Sequence, residues 1–257
     1  MPYCEGVTVP IVVALEQHQA QVSPADICLA IDVLRATTTL STLFARGSAA
    51  VWLASDTDEA LAHARHTGRL VCGERGGLPP PGFDFGNSPL EMSRAESLRG
   101  REIVMATTNG TSALRIAAAG SHAFAASYAN GGAVVRAVRQ ILQSEDVEAE
   151  RRIHVICAGT EGRVGLDDVA CAGSLVAHFL VDLPCTLDDG AEIALRVHRS
   201  FDCALDALRT SGHARTLLER GLGEDIHFSS QRDITGVVPA LERGPWPIYL
   251  IRAGETA

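Results

Sequence analysis

The chain contains no lysine; all 22 of its basic residues are arginine. That excludes Schiff-base chemistry, a pyridoxal lysine, a P-loop lysine and a Ser–Lys dyad. Any anion must be held by arginine, hydroxyls or backbone N–H groups. No C-x-x-C pair and no H-x-x-x-H or H-E-x-x-H spacing occurs among the seven cysteines and nine histidines, which argues against zinc. No apolar run approaches the roughly 20 residues needed to cross a bilayer, so no membrane partner is expected. Met1-Pro2-Tyr3-Cys4-Glu5 lacks the basic start of a secretory signal, and a cytoplasmic location is expected. Basic excess is missing too: the net charge of −9 argues against nucleic acid as a partner. Cys28, Cys72 and Cys157 lie inside apolar runs and read as small buried hydrophobes in a reducing compartment.

What is present is a chain of 257 residues, 46% hydrophobic, enough to bury a substantial core. Strand-like runs cover Val7–Leu15, Ile27–Asp32, Ala49–Ala54, Arg69–Cys72, Glu102–Ala106, His122–Ala126 and Arg152–Cys157, with a last one at Pro247–Ile251. Helical patterns alternate with them: after Ala36 to Gly47, Ser55–Ala64, from Ser88, up to Ala119, Gly132–Leu142 and Asp167–Val181. From Asp188 to Gly221 the texture becomes charged amphipathic helix, read as two helices broken near Ser211-Gly212. Strands alternating with helices predict βαβ units and a largely parallel sheet covered on both faces. Residues 1–257 are read as a single α/β domain with a helix-rich C-terminal part at about 188–230.

Four strand ends carry polar sets: Asp32, Arg35 and Thr37–Thr39; Glu74 and Arg75; Thr107, Thr108, Asn109, Gly110 and Thr111; and Thr160, Glu161 and Arg163, with Asp167 and Asp168 beyond. In a parallel sheet such ends share one edge, where ligands bind. Asp32, Glu74, Glu161 and Asp168 are hard oxygen donors suited to Mg²⁺. Arg35, Arg75 and Arg163 suit an anion, and the 107–111 helix start can cradle phosphoryl oxygens. The chemistry implied is cation-assisted phosphoryl transfer or hydrolysis.

Asp56-Thr57-Asp58 has the D-x-D form of aspartyl-phosphate phosphatases, but those also use a lysine; an N-cap with acids in the first helical turn explains it more simply. Asp167 likewise reads as an N-cap. Residues 82–88 hold too much glycine and aromatic for a plain linker; a lid or a subunit contact is expected there, with Asn87 or Asp84 as candidates to reach the site.

The segments IDVLRATTT, CGERGG-(x)4-GFDFGNSP, TTNGT and CAGTEGRVGLDDVACAG resemble the 2-phosphosulfolactate phosphatases, magnesium-dependent hydrolases of coenzyme M biosynthesis. The tail from His213-Ala214-Arg215 through Asp225-Ile226 to Val237-Val238-Pro239 is similar to that family as well. The resemblance implies a three-layer α/β/α fold around a largely parallel, mixed central sheet, and hydrolysis of the phosphate monoester of 2-phospho-3-sulfolactate, a small anionic substrate, with Mg²⁺ as cofactor. On the chemistry of the residues, Asp32, Glu74 and Glu161 are expected to hold the metal. Asp32, Asp168 and Arg35 would carry catalysis, while Arg75, Thr37, Thr38, Thr108, Asn109, Gly110, Thr111 and Arg163 would bind substrate. Whether a carboxylate attacks phosphorus itself stays open. The alternative is a small-anion binder or repurposed homologue acting on another phosphorylated hydroxy acid. A homodimer is expected on base rates.

Overall fold

The computed structural model describes residues 8–144, 151–243 and 248–252. In chain order these residues form β1 (Val9–Ala14), β2 (Ile27–Ile31), α1 (Ala36–Ala45), β3 (Ala50–Leu53), α2 (Thr57–Thr67), β4 (Leu70–Gly73), α3 (Pro89–Arg94), β5 (Glu102–Ala106), α4 (Gly110–Ala117), β6 (His122–Ala126), α5 (Gly131–Ser144), β7 (Ile153–Cys157), α6 (Leu166–Phe179), β8 (Cys185–Leu187), α7 (Asp189–Arg199), α8 (Ala204–Thr210), α9 (Gly212–Glu219), α10 (Gly223–Ser229), β9 (Pro239–Arg243) and β10 (Ile248–Arg252). Val7 of the expected Val7–Leu15 strand and Pro247 of the last one, like Cys4, lie outside the described residues. The 188–221 region holds three helices rather than two, and α10 follows; Ser200–Cys203 interrupts what the composition presents as one amphipathic run.

The sheet runs β4-β5-β3-β10-β9-β6-β2-β7-β1-β8. It is mixed and mostly parallel: β4, β5 and β3 are mutually parallel, as are β6, β2, β7, β1 and β8. Antiparallel β10 and β9 lie between these two blocks. Three antiparallel junctions separate the blocks, so their strands run in opposite senses through the sheet. A single shared edge, as expected for an all-parallel sheet, therefore does not explain how the loops after β4 and β5 meet those after β2 and β7.

Packing explains it instead. All five residues of β2 are buried, and they divide with period two. Ile27, Leu29 and Ile31 enter one core cluster with β1, β7 and helices α5 to α9. Cys28 and Ala30 enter a second, with Leu40, Leu43 and Phe44 of α1, Ala113, Leu114 and Ala117 of α4, and Ala123 and Ala125 of β6. Small side chains on that face of β2 and β6 let α4 lie close to the sheet. That close approach carries the head of α4 to the C-terminal end of β2. On the opposite face of the first block, α2 packs Ala60 and Ala64 against Val71, Val104 and Ala106. Helices thus cover both faces, giving three α/β/α layers.

The local sequence signals operate as physical chemistry requires. Asp56 caps α2, accepting from the N–H groups of Asp58 and Glu59. Ser88 caps α3 ahead of Pro89 and accepts from the Glu91 N–H. Cys28, Cys72, Cys157 and Cys171 are buried free thiols, and burial pushes the Cys28 thiol up to about 12. Among the described residues no helix is long and apolar enough to cross a membrane.

Candidate active site

Asp32 follows β2 directly and is buried, yet it lines an open cleft of about 160 Å³. The three threonines behind it build the loop. Thr37 donates its hydroxyl to the Asp32 carbonyl at 2.9 Å and accepts from the Asp32 N–H at 3.2 Å. Thr38 donates to the Val33 carbonyl, and Thr39 to the Asn87 carbonyl. All three are fully buried. Thr37 and Thr38 therefore hold the β2–α1 turn, and their hydroxyls do not face the cleft as substrate ligands would. Gly110 fits against this turn because it has no side chain: a Cβ there would meet the Ala36 Cβ and come within 2.5 Å of Asp32 Oδ2.

Glu74, at the end of β4, joins two further walls. Its Oε2 accepts from the Gly77 N–H at 2.6 Å and its Oε1 from the Thr108 N–H at 2.7 Å. Thr108 and Asn109 also line the cleft, but Thr111 is buried, bonding back to Thr107 through both its N–H and its hydroxyl. Among the described residues the amides of Asn109 and Gly110 donate to no protein acceptor. After β7, Thr160 and Glu161 line the cleft, whereas exposed Arg163 does not. Exposed Arg75 faces a neighbouring groove with Asp56 and Asp58 rather than the Asp32 cleft. Asp168 lies behind: its Oδ1 accepts from the Val33 N–H and its Oδ2 from the Gly159 N–H, both at 2.9 Å. It clamps the loops after β2 and β7 together, which makes it a positioning group.

The fourth wall comes from the C-terminal helices. Arg35 is buried and paired to Asp225 at 2.8 Å; its other terminal nitrogen donates to the Gly77 carbonyl at 2.7 Å. It lines the cleft, but as a brace whose charge is already matched, not as the free anion clamp expected. His213 and Arg220, which residue patterns did not single out, face the cleft from α9 and just beyond it. Their only sequence trace is the tail that resembles the family. Asp167 is not the cap of α6; Gly165 is, and Asp167 sits in the first turn with its Oδ2 3.6 Å from His213 Nδ1.

Acids dominate the electrostatics. Burial, then the nearby Glu74 and Asp167, raise the Asp32 carboxyl to about 6 against the opposing pull of His213. Burial with Asp167 and Asp32 lifts Asp168 well above the usual range, despite its two N–H donors. Burial alone would depress His213, but the Asp167 carboxylate and Asp32 overcome it and raise the imidazole. Asp167 Oδ1 is buried without a partner. Asp32, Glu74 and Glu161, the expected metal ligands, all line the cleft. Among the described residues, however, no three His, Cys, Asp or Glu form a ready-made metal cage.

A buried acid beside a raised imidazole, at the meeting of four loops, is an arrangement for proton-coupled chemistry on an anion. Comparison with known proteins points the same way. A family model described as 2-phosphosulpholactate phosphatase matches residues 12–244. A protein of Deinococcus radiodurans named probable 2-phosphosulfolactate phosphatase is 44% identical over 222 residues, covering 85% of this chain and 89% of its own. Proteins of the same name from Thermus thermophilus and Trichormus variabilis are 39% and 34% identical, covering 84% and 86% of this chain and 88% and 93% of theirs. The matched span takes in every wall of the cleft, from Asp32 to Arg220, and the chain belongs to the 2-phosphosulfolactate phosphatase family.

Proposed function

We propose that the chain hydrolyses the phosphate monoester of 2-phospho-3-sulfolactate to sulfolactate and inorganic phosphate in a Mg²⁺-dependent reaction. One observation carries the reading beyond the family: Asp32 is the buried carboxylate that opens on the cleft, and His213 stands beside it with its other face on Asp167.

The phosphoryl group would sit at the head of α4, where the Asn109 and Gly110 amides are unengaged and Asp32 is adjacent. Asp32 orients the attacking water. As the water oxygen bonds to phosphorus, the bond from phosphorus to the ester oxygen breaks, and His213 passes a proton from Nε2 to the departing alkoxide. The water's own proton leaves through the Asp32 carboxylate to solvent. His213 suits this role because, against the opposing effect of burial, the Asp167 carboxylate raises its affinity for the proton above that of an ordinary imidazole. Asp168 and Glu74 hold the loops at fixed spacing while the charge moves.

The donor set fits a divalent cation. Asp32, Glu74 and Glu161 face the cleft, Arg35 is already neutralised by Asp225, and Asp167 Oδ1 is unpaired. A substrate bearing phosphate, carboxylate and sulfonate adds several negative charges to that set. Mg²⁺ commonly takes only one or two carboxylates and fills its remaining positions with phosphate oxygens and water, so a preformed cage is not required. Asp32 and Glu161 would hold it, since both oxygens of Glu74 already accept N–H groups. When bound, it neutralises charge on the phosphoryl oxygens.

The test is phosphate release from 2-phospho-3-sulfolactate with Mg²⁺ and with a chelator. Release with the ion and none with the chelator is expected. Absence of release from any phosphorylated hydroxy acid, with Mg²⁺ present, would turn the assignment toward a small-anion binder.

A further inference from the structure

Besides Asp32 and His213, the cleft is lined by Arg220 and Asn87. The Arg220 guanidinium lies over Gly76 and Gly77. Gly77 has φ +84, and a Cβ on it would collide with Arg220 Nη1. The loop is glycine where the arginine crosses it, and the Gly77 carbonyl is fixed from the other side by Arg35. Among the described residues Arg220 has no acidic partner, although acids crowd the rest of the cleft.

Asn87 supplies the second, independent observation. It is 4% exposed, lines the cleft, and has its Oδ1 buried without a hydrogen-bond partner. Its backbone is fixed by the bond from Thr39 at 3.1 Å and by the Ser88 cap of α3 immediately after it. With Oδ1 buried and no protein acceptor taking its Nδ2 among the described residues, the amide NH₂ is the group Asn87 has left to donate to an anion in the cleft.

We propose that Arg220 and Asn87 form the subsite that grips the substrate's sulfonate, away from the phosphoryl group at the head of α4. The proposal rests on the phosphatase reading above. A sulfonate keeps its charge at all physiological pH and offers three acceptor oxygens. A permanently charged guanidinium fork and one amide NH₂ can engage these together, with no need for a titrating partner. Because Arg220 follows α9 while Asp32 follows β2, the subsite fixes substrate length between two separately built parts of the fold.

The test compares 2-phospho-3-sulfolactate with 2-phospholactate, which keeps the phosphate and carboxylate but lacks the sulfonate. In Arg220→Gln and in Asn87→Ala, kcat/KM for the sulfonated ester should fall about 10- to 100-fold, at least tenfold more than for 2-phospholactate. Equal losses on both esters would overturn the sulfonate assignment in favour of the shared carboxylate or phosphate; no loss on either would remove both residues from recognition. If the wild-type protein turns over neither ester, the phosphatase reading fails, and the subsite is judged by calorimetric binding of 3-sulfolactate against lactate. Sulfolactate binding that weakens at least tenfold in Arg220→Gln, at unchanged Tm, supports the subsite. No preference of the folded wild type for sulfolactate over lactate overturns it.

Discussion

Arg35 and Asp225, 190 positions apart, face each other at 2.8 Å with both side chains only 2% exposed. Ser88 donates its hydroxyl to the other oxygen of Asp225 at 2.5 Å, and Arg35 reaches on to the Gly77 carbonyl. One buried ion pair thereby fastens the C-terminal helices to the β2 turn, the glycine loop and the start of α3. His213 and Arg220 arrive at the cleft on the segment this pair secures.

Removing both members should cost clearly less than the two single losses added together. Asp225→Asn leaves Arg35 buried with its charge uncompensated and should lower stability by about 3–5 kcal/mol. Arg35→Met should do the same from the other side. The double variant Arg35→Met/Asp225→Leu should lose clearly less than the sum of the singles, as read by urea unfolding. Additive losses would mean that the two side chains act independently.

How much of this was readable in the sequence depends on how local the cause is. Asp32, Glu74, Thr108, Asn109 and Glu161 each sit where a strand stops and a polar loop begins, and each lines the cleft. The caps by Asp56 and Ser88 are short-range and legible for the same reason. The partner of Arg35 lies 190 residues away, so its loss of free charge left no local trace. Thr37 and Thr38 looked like ligand hydroxyls because composition does not reveal which way a side chain turns; their bonds run back into the turn. Arg163 and Arg75 share a loop with cleft residues but point elsewhere. His213 and Arg220 lie in a run that reads as an ordinary amphipathic helix. The opposed senses of the two parallel blocks were equally hidden, because β9 and β10 come together at the end of the chain yet insert between β3 and β6, both distant in sequence.

Asp32 is held in a charge state that the fold resists. Its carboxyl is raised from 3.8 to about 6, so the folded protein binds that proton more tightly than the unfolded chain does. The resulting contribution to stability is full below about pH 4 and is lost as pH rises through 6. In metal-free buffer, Asp32→Asn should therefore stabilise the protein by about 1–3 kcal/mol at pH 8, with the gain shrinking toward zero near pH 4. Calorimetric Tm measured across that range checks the sign. A loss of stability at pH 8 would contradict it.

Gly110 is required for its lack of a side chain, because a Cβ would press on both Asp32 and Ala36. Gly110→Ala should displace the Asp32 carboxylate or the head of α4 and lower kcat/KM by about 100-fold, the scale expected of a misplacement near 1 Å. Gly68→Ala is the comparison: it ends α2 at φ +69 with open space around it, so it should reduce Tm without touching turnover. Equal turnover in Gly110→Ala and the wild type would remove the close approach from the account.

His213 should govern the alkaline side of the pH profile. Its folded-state affinity for the proton is raised, so the acid form persists above the ordinary histidine range and is lost as pH climbs through the raised value. The wild-type kcat/KM should fall on that limb. His213→Gln should slow turnover about 10²- to 10⁴-fold and flatten the limb. Asp167→Asn should move the limb to lower pH by withdrawing the carboxylate beside Nδ1. An unmoved limb in Asp167→Asn would separate the imidazole from its supposed partner.

The most direct measurement is phosphate release from 2-phospho-3-sulfolactate by the wild type and by Asp32→Asn, both with saturating Mg²⁺ and both shown to be folded. The account predicts turnover by the wild type and a loss of at least about 10³-fold in the variant, set against its higher Tm at pH 8. Turnover by Asp32→Asn within a few-fold of the wild type would contradict it.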